Sequence, residues 1–270
     1  MTTAPVSRHT RRPRLRPDWV WQLRQGSALV FVLWFAIAFP LVIVGLLVEP
    51  RWVGWLVLAW FLALVVFTLA MRLADGRLRR AWAETAEQVG WQVDVPGSTL
   101  LERWPFPPFS TDPAAEVFDV TAGRHRGREL LTGRIRHRVG RRQLGFDFLD
   151  LAVDRPLPPL QVLPASLAPV AAASLLPIRL QIAGLPGPYQ LFNGREDLAA
   201  EVLHPRAVEV LAQVSPFGFS CEGRRFVVIL PAYRDTGTAL AQLDAACDLL
   251  DLMPEHVWQA GEQWLATRPL

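Results

Sequence analysis

The chain has no lysine; all 28 of its basic side chains are arginine. That absence excludes Schiff-base chemistry and the lysine of a phosphate-binding loop. Cysteine is nearly absent too, with only Cys221 and Cys247. They form no Cys-x-x-Cys pair and no metal spacing, so both read as reduced, small core residues. His125, His137, His204 and His256 are scattered, with no pair at metal-ligand spacing. No glycine-rich phosphate loop or dinucleotide fingerprint occurs. The expectation is therefore a chain with no metal and no cofactor.

Charge is missing from two long stretches. Ser27 to Val48 gives 22 residues without an ionisable group and Trp52 to Met71 gives 20 more, separated only by Glu49-Pro50-Arg51. At 1.5 Å per residue these are helices of roughly 33 and 30 Å, the thickness of a bilayer core. Neither run has a polar face to show water, which argues against a hairpin buried in a soluble core. Both read as transmembrane helices, 27–48 and 52–71. With no ionisable group inside either, the hairpin reads as an anchor and not a transport pathway. Pro40 kinks the first span, a defect that bilayer helices tolerate. The spacing of Ala59 and Ala63 suits close packing inside the hairpin itself.

Both flanks are basic. Residues 1–26 carry six arginines against Asp18, and 72–80 carry Arg72, Arg77, Arg79 and Arg80 against Asp75. By the positive-inside rule both termini lie in the cytoplasm of a multi-pass inner-membrane protein. Trp19, Trp21, Trp52 and Trp55 suit anchoring at the interfaces. A cleaved signal peptide is disfavoured: the run is too long, no Ala-x-Ala site follows, and a second span begins at once.

The remainder divides into a helical stalk at 72–89 and a cytoplasmic α+β domain at 90–270. In the stalk Leu78, Trp82, Ala86 and Val89 recur at helical spacing and Gly90 marks its end. Trp91, Val93 and Val95 alternate as a short strand. The segment 100–113, with Trp104-Pro105-Phe106-Pro107-Pro108-Phe109, reads as an extended loop covering the core in preference to a proline-rich ligand for a partner. Strands are expected at 117–121 and 144–153, the second with a bulge at Phe148-Leu149 where its apolar phase slips. The proline-punctuated 157–169 suggests an edge strand and loop. Further strands fall at 178–182 and 189–192, and a hairpin over 217–230 turns near Glu222-Gly223. Helices are expected from Pro205, over 238–252 with Leu240, Leu243, Cys247 and Leu250 inward, and after Pro254 with Trp258 and Trp264. The fold class is α+β, antiparallel strands with helices mainly at the ends of the sheet.

The segment 124–142 is the most strongly charged, eight arginines against Glu129. Arg124, Arg126 and Arg128 alternate, as do Arg134, Arg136 and Arg138, and Arg141 and Arg142 follow. On a two-stranded ribbon each trio shares a face. Three readings compete. The blandest is a solvated ribbon balanced by acids such as Asp147, Asp150 and Asp154. Next comes contact with anionic lipid headgroups or an acidic protein partner. Nucleic acid is disfavoured, because no aromatics interleave for base stacking.

Catalytic signals are weak. Gly218-Phe219-Ser220-Cys221-Glu222-Gly223 is one residue too long for a nucleophile elbow and lacks the strand-to-helix context. Asp147 and Asp150 form a weak candidate for a cation site. The residues of 192–211, Phe-Asn-Gly-Arg-Glu-Asp-Leu-Ala-Ala-Glu-Val-Leu-His-Pro-Arg-Ala-Val-Glu-Val-Leu, resemble a family of uncharacterised membrane-anchored proteins from actinobacteria. Gly90-Trp91, the Pro-Phe loop, Leu203 to Arg206 and the Pro254 to Trp258 spacing carry the resemblance further. It implies an apolar hairpin followed by a cytoplasmic α+β domain, and it supplies no catalytic residue. The sequence reads as a non-enzymatic interaction or scaffolding module on the bilayer. The alternatives are a membrane-bound hydrolase using Ser220 or Cys221, and an accessory subunit of a transport or secretion complex.

Overall fold

Two apolar rows on one strand organise the sheet. In the computed structural model the described residues are 50–97, 100, 103–104, 109, 115–139, 142–170, 178–180, 182–185, 187–214, 216–231 and 236–267. The basic tail and the first expected span lie outside them. The chain divides into two units, meeting at Ala74 and Asp75.

Helix α1 spans Pro50–Gln88. In the first unit, Trp55, Leu58, Phe61, Leu62, Val66 and Leu69 are each more than half exposed. Among the described residues no helix is long and apolar enough to cross a membrane; the side chains at 51–53, 56, 57, 71 and 72 are outside that set. At its other end α1 stops where the sequence requires. Gly90 takes φ +77°, and the Trp91 N–H closes back on the Ala86 carbonyl at 2.8 Å, a left-handed glycine cap.

The second unit is built on a six-stranded antiparallel sheet: β1 Glu116–His125, β2 Arg128–Val139, β3 Arg142–Pro164, β4 Ile178–Leu180, β5 Tyr189–Asn193 and β6 Gly218–Pro231. The strand expected at 91–95 reduces to a single bridge, Gln92 with Ala122. A short 3-10 helix, Ala165–Val170, follows β3. Helices α2 Glu196–Val202, α3 Pro205–Ala212, α4 Thr236–Asp251 and α5 Glu255–Ala266 complete the domain. Pro205 opens α3 at its first turn, where a missing N–H costs nothing.

Strand β3 corrects three expectations. No bulge exists at Phe148-Leu149: β2 pairs with β3 without a break from Leu130↔Leu151 to Val139↔Arg142. The phase slips because both faces are buried. Phe146 and Phe148 join Trp104, Phe109, Ile135, Val227 and Ile229 on one side, while Leu149, Leu151 and Val153 join the helices on the other. A strand covered on both faces has no reason to alternate. The proline-punctuated segment is central, not an edge. β3 pairs with β6 from Phe146↔Pro231 to Val162↔Phe219, and with β5 at its end. Pro156, Pro158 and Pro159 fall at the register shifts between Ala152 and Leu160, where a missing N–H breaks no ladder bond. Finally, 217–230 is one strand and not a hairpin; Gly223, at φ +60°, sits opposite Leu157 at that same irregularity.

The helices lie across a face of the sheet, not at its ends. Val202, Leu211, Leu243, Cys247, Leu250 and Val257 pack with β3 and β6. Gly261 permits the approach of α5, since a Cβ there would stand 2.1 Å from the Pro156 carbonyl oxygen. On the other face Trp104 and Phe109 are buried in the core, as expected for a core-covering segment, and 105–108 lie outside the described residues. Trp104 is fully buried, its ring 4.9 Å from both Phe109 and Phe148, and its indole N–H donates to Asp150 at 3.0 Å.

Candidate functional site

Register decides where each arginine goes. Arg126 and Gly127 form the turn between β1 and β2, with Arg126 at φ +48°. Arg124, Arg126 and Arg128 therefore do not share the face that their alternation implies. Arg124 stands opposite Glu129, and His125 opposite Arg128. The turn lies against α4. Arg126 donates to Asp248 and Asp251, Arg128 donates to Asp251 at 2.7 Å, and His125 Nε2 is 2.8 Å from Asp244. The hydrogen bond to Asp248 raises the Arg126 guanidinium above its ordinary value. The outward acids of α4 thus form the docking face for the basic turn.

In the second trio Arg134 and Arg136 share a face, as the β2–β3 register requires, and both are paired. Arg134 is buried and donates from Nε to Asp147 at 2.9 Å, with Asp119 at 3.5 Å. Asp119 occupies the left-handed region, φ +54°, at the register shift of β1, and also accepts from Arg79 at 3.2 Å. A bulge that re-aims one side chain is a known device; here it turns a carboxylate toward two guanidiniums. Arg136 stands opposite Glu116, 3.5 Å away, with its guanidinium over the Phe118 ring. The side chains of Arg138 and Arg142, and all of Arg141, lie outside the described residues. Above the Arg134 pair, Leu78, Trp82, Val93 and Leu230 line a hollow of about 370 Å³.

A larger cleft, about 480 Å³, opens on the far side of Trp91. Arg103, Arg124 and Arg225 line it, from the core-covering loop, β1 and β6, and Glu129 is its one carboxylate. Among the described residues neither Arg103 nor Arg124 takes part in an ion pair. Arg225 is 3.4 Å from Asp150 Oδ2. Asp150 is fully buried, and burial pushes its carboxyl up to about 6 against the opposing pull of Arg225 and the Trp104 hydrogen bond. Only Arg124 of these was legible as a candidate. Arg103 and Arg225 stand alone in the sequence, and nothing local marks either as its partner.

The chemical candidates do not assemble. Ser220 and Cys221 are 2% and 4% exposed within β6. Burial pushes the Cys221 thiol up to about 12, and it donates to the Pro158 carbonyl at 3.4 Å. A thiolate is the reactive form of cysteine, and neither residue is placed to meet a substrate. Cys247 is likewise free and buried, pushed up to about 11. Asp147 and Asp150 cannot share a cation: three apart on one strand, they face opposite sides of the sheet, one to Arg134 and the other to Trp104. Among the described residues no group of three or more His, Cys, Asp or Glu is placed to hold a metal.

No protein-family model matches the chain, and no curated protein does. Among solved structures it is similar to the mycobacterial trehalose monomycolate transport factor A, TtfA. The TM-score is 0.49 and the identity 17%, over 67% of this chain and 96% of that one. At that level the likeness assigns nothing to this chain.

Proposed function

We propose that the protein is a membrane-anchored, non-catalytic interaction module. The segments 27–48 and 52–71 hold it in the inner membrane, both termini are cytoplasmic, and the α+β domain recruits a partner there. One observation carries the reading: the first half of α1 turns large apolar side chains outward along a stretch of 20 uncharged residues, Trp52 to Met71. Exposed apolar surface on that scale needs an apolar solvent or a partner, and a helix apolar around its whole circumference suits lipid better than a one-sided groove. The arginines on both flanks support the same orientation.

The test is alkaline carbonate extraction of membranes, combined with cysteine-accessibility mapping at residues 49–51 and at the C-terminus. Integral behaviour, with residues 49–51 outside and the C-terminus inside, is the expected result. Release by carbonate would end the anchoring reading. The narrower form, an accessory subunit of a transport or secretion assembly, predicts a polytopic partner that co-purifies in mild detergent; purification as a lone species would remove it.

A further inference from the structure

We propose that the cleft lined by Arg103, Arg124 and Arg225 binds a phosphate group. Three arginines from segments more than 20 residues apart line one concavity whose lining holds a single carboxylate, Glu129. Elsewhere in the domain the arginines of the turn and of β2 meet acids (Arg126, Arg128, Arg134 and Arg136), as does Arg155, which bridges Glu255 and Glu262. Unpaired arginines also stand singly on the surface, Arg179 among them, so convergence in a cleft and not mere lack of a partner is the signal.

The floor is rigid before any ligand arrives. Trp91 packs face to backbone on Gly123, where a Cβ would come within 2.1 Å of the indole ring, and its N–H donates to the Arg124 carbonyl at 2.9 Å. Reciprocal backbone hydrogen bonds of 2.7 and 2.8 Å join Gln92 to Ala122 beneath it. Arg225 is held on one side by Asp150, which Arg103 also attracts, and Arg124 stands opposite Glu129, so three guanidiniums share two carboxylates. Guanidinium forks suit an oxyanion with several acceptor oxygens, and three of them offer more donors than one carboxylate can accept. A tetrahedral phosphate matches that supply. It can come from a soluble phosphate ester or from a lipid headgroup.

The test uses the full-length protein in neutral detergent, titrated calorimetrically with inorganic pyrophosphate and, separately, in mixed micelles with and without phosphatidic acid. Saturable binding of either probe that weakens with salt, and at least tenfold in the R103Q/R124Q double variant but not in R179Q, supports the site. Binding of soluble pyrophosphate alone identifies a free phosphate ester. Binding of phosphatidic acid that pyrophosphate displaces identifies a headgroup. No saturable binding of either probe, or equal affinity in the double variant, overturns the proposal. Both substituted arginines are exposed and, among the described residues, outside any ion pair, so the variants keep the fold, checked by an unchanged thermal midpoint. The outcome does not depend on whether 52–71 crosses a membrane, so failure here leaves the anchoring reading standing.

Discussion

Arg124 and Arg126 are two residues apart and meet opposite surroundings. Arg126 swings through a left-handed turn onto α4, where Asp248 and Asp251 hold it. Arg124 stays on β1 and lines a cleft with two arginines distant in the chain. A run of like charge in a sequence is therefore not a charged patch. What matters is whether the topology brings an acid to each guanidinium: in this domain it does so for the turn and for the described part of β2, whereas in the cleft three arginines share Glu129 and Asp150.

Three changes test that contrast, in falling order of expected effect. Arg134→Leu removes the buried cation that faces Asp147 and Asp119, leaving carboxylates uncompensated in a sheltered site. The expected loss is about 3–5 kcal/mol, read as a lower urea midpoint. A loss under about 1 kcal/mol would show that Arg134 belongs with the solvated arginines. Asp150→Asn probes the charge beneath the cleft. Its folded carboxyl, near 6, lies above the ordinary value, so the folded state holds a proton that the unfolded chain releases between about pH 4 and 6. The contribution of Asp150 to stability accordingly falls as pH rises through that window and is flat above it. The Asn variant keeps an acceptor for Trp104, loses this slope, and gains on the order of 1–3 kcal/mol at pH 7, less whatever Arg225 forfeits. Thermal melts that track the wild type across pH 4–7 would remove the buried-carboxylate account. Last, Asp248→Asn with Asp251→Asn frees Arg126 and Arg128. These pairs are substantially exposed, so stability should change by no more than about 1 kcal/mol. Binding to anionic micelles should instead strengthen severalfold at low salt. Unchanged binding would mean that the acids of α4 are not what keeps the turn from anions.

Much of the fold was legible where signals are local. Gly90 ended α1, Pro205 opened α3, the inward row Leu243, Cys247 and Leu250 belonged to one helix, and Trp104 and Phe109 covered the core. The errors came from reading β3 by the rule for a half-exposed strand. A strand buried on both faces shows a continuous apolar pattern, and its apparent phase slip mimics a bulge. The same error placed Pro158 and Pro159 at an edge, although they sit where β3 and β6 lose register in the centre of the sheet. Of the candidate site, the sequence displayed the arginine cluster and one of its partners, Asp147, which pairs with Arg134, but not the acids that hold the turn: Asp244, Asp248 and Asp251 lie more than 100 residues further along the chain.

By itself the sequence determined the two uncharged apolar runs, the helix ends and the amphipathic period of α4, because each depends on residues within a few positions of one another. Only the tertiary structure decided that both faces of β3 are covered, that β6 runs as one strand beside it, and which arginines are neutralised. Those outcomes turn on contacts between residues 13 to more than 100 positions apart, and a charge carries no local mark of the partner that the chain will bring to it.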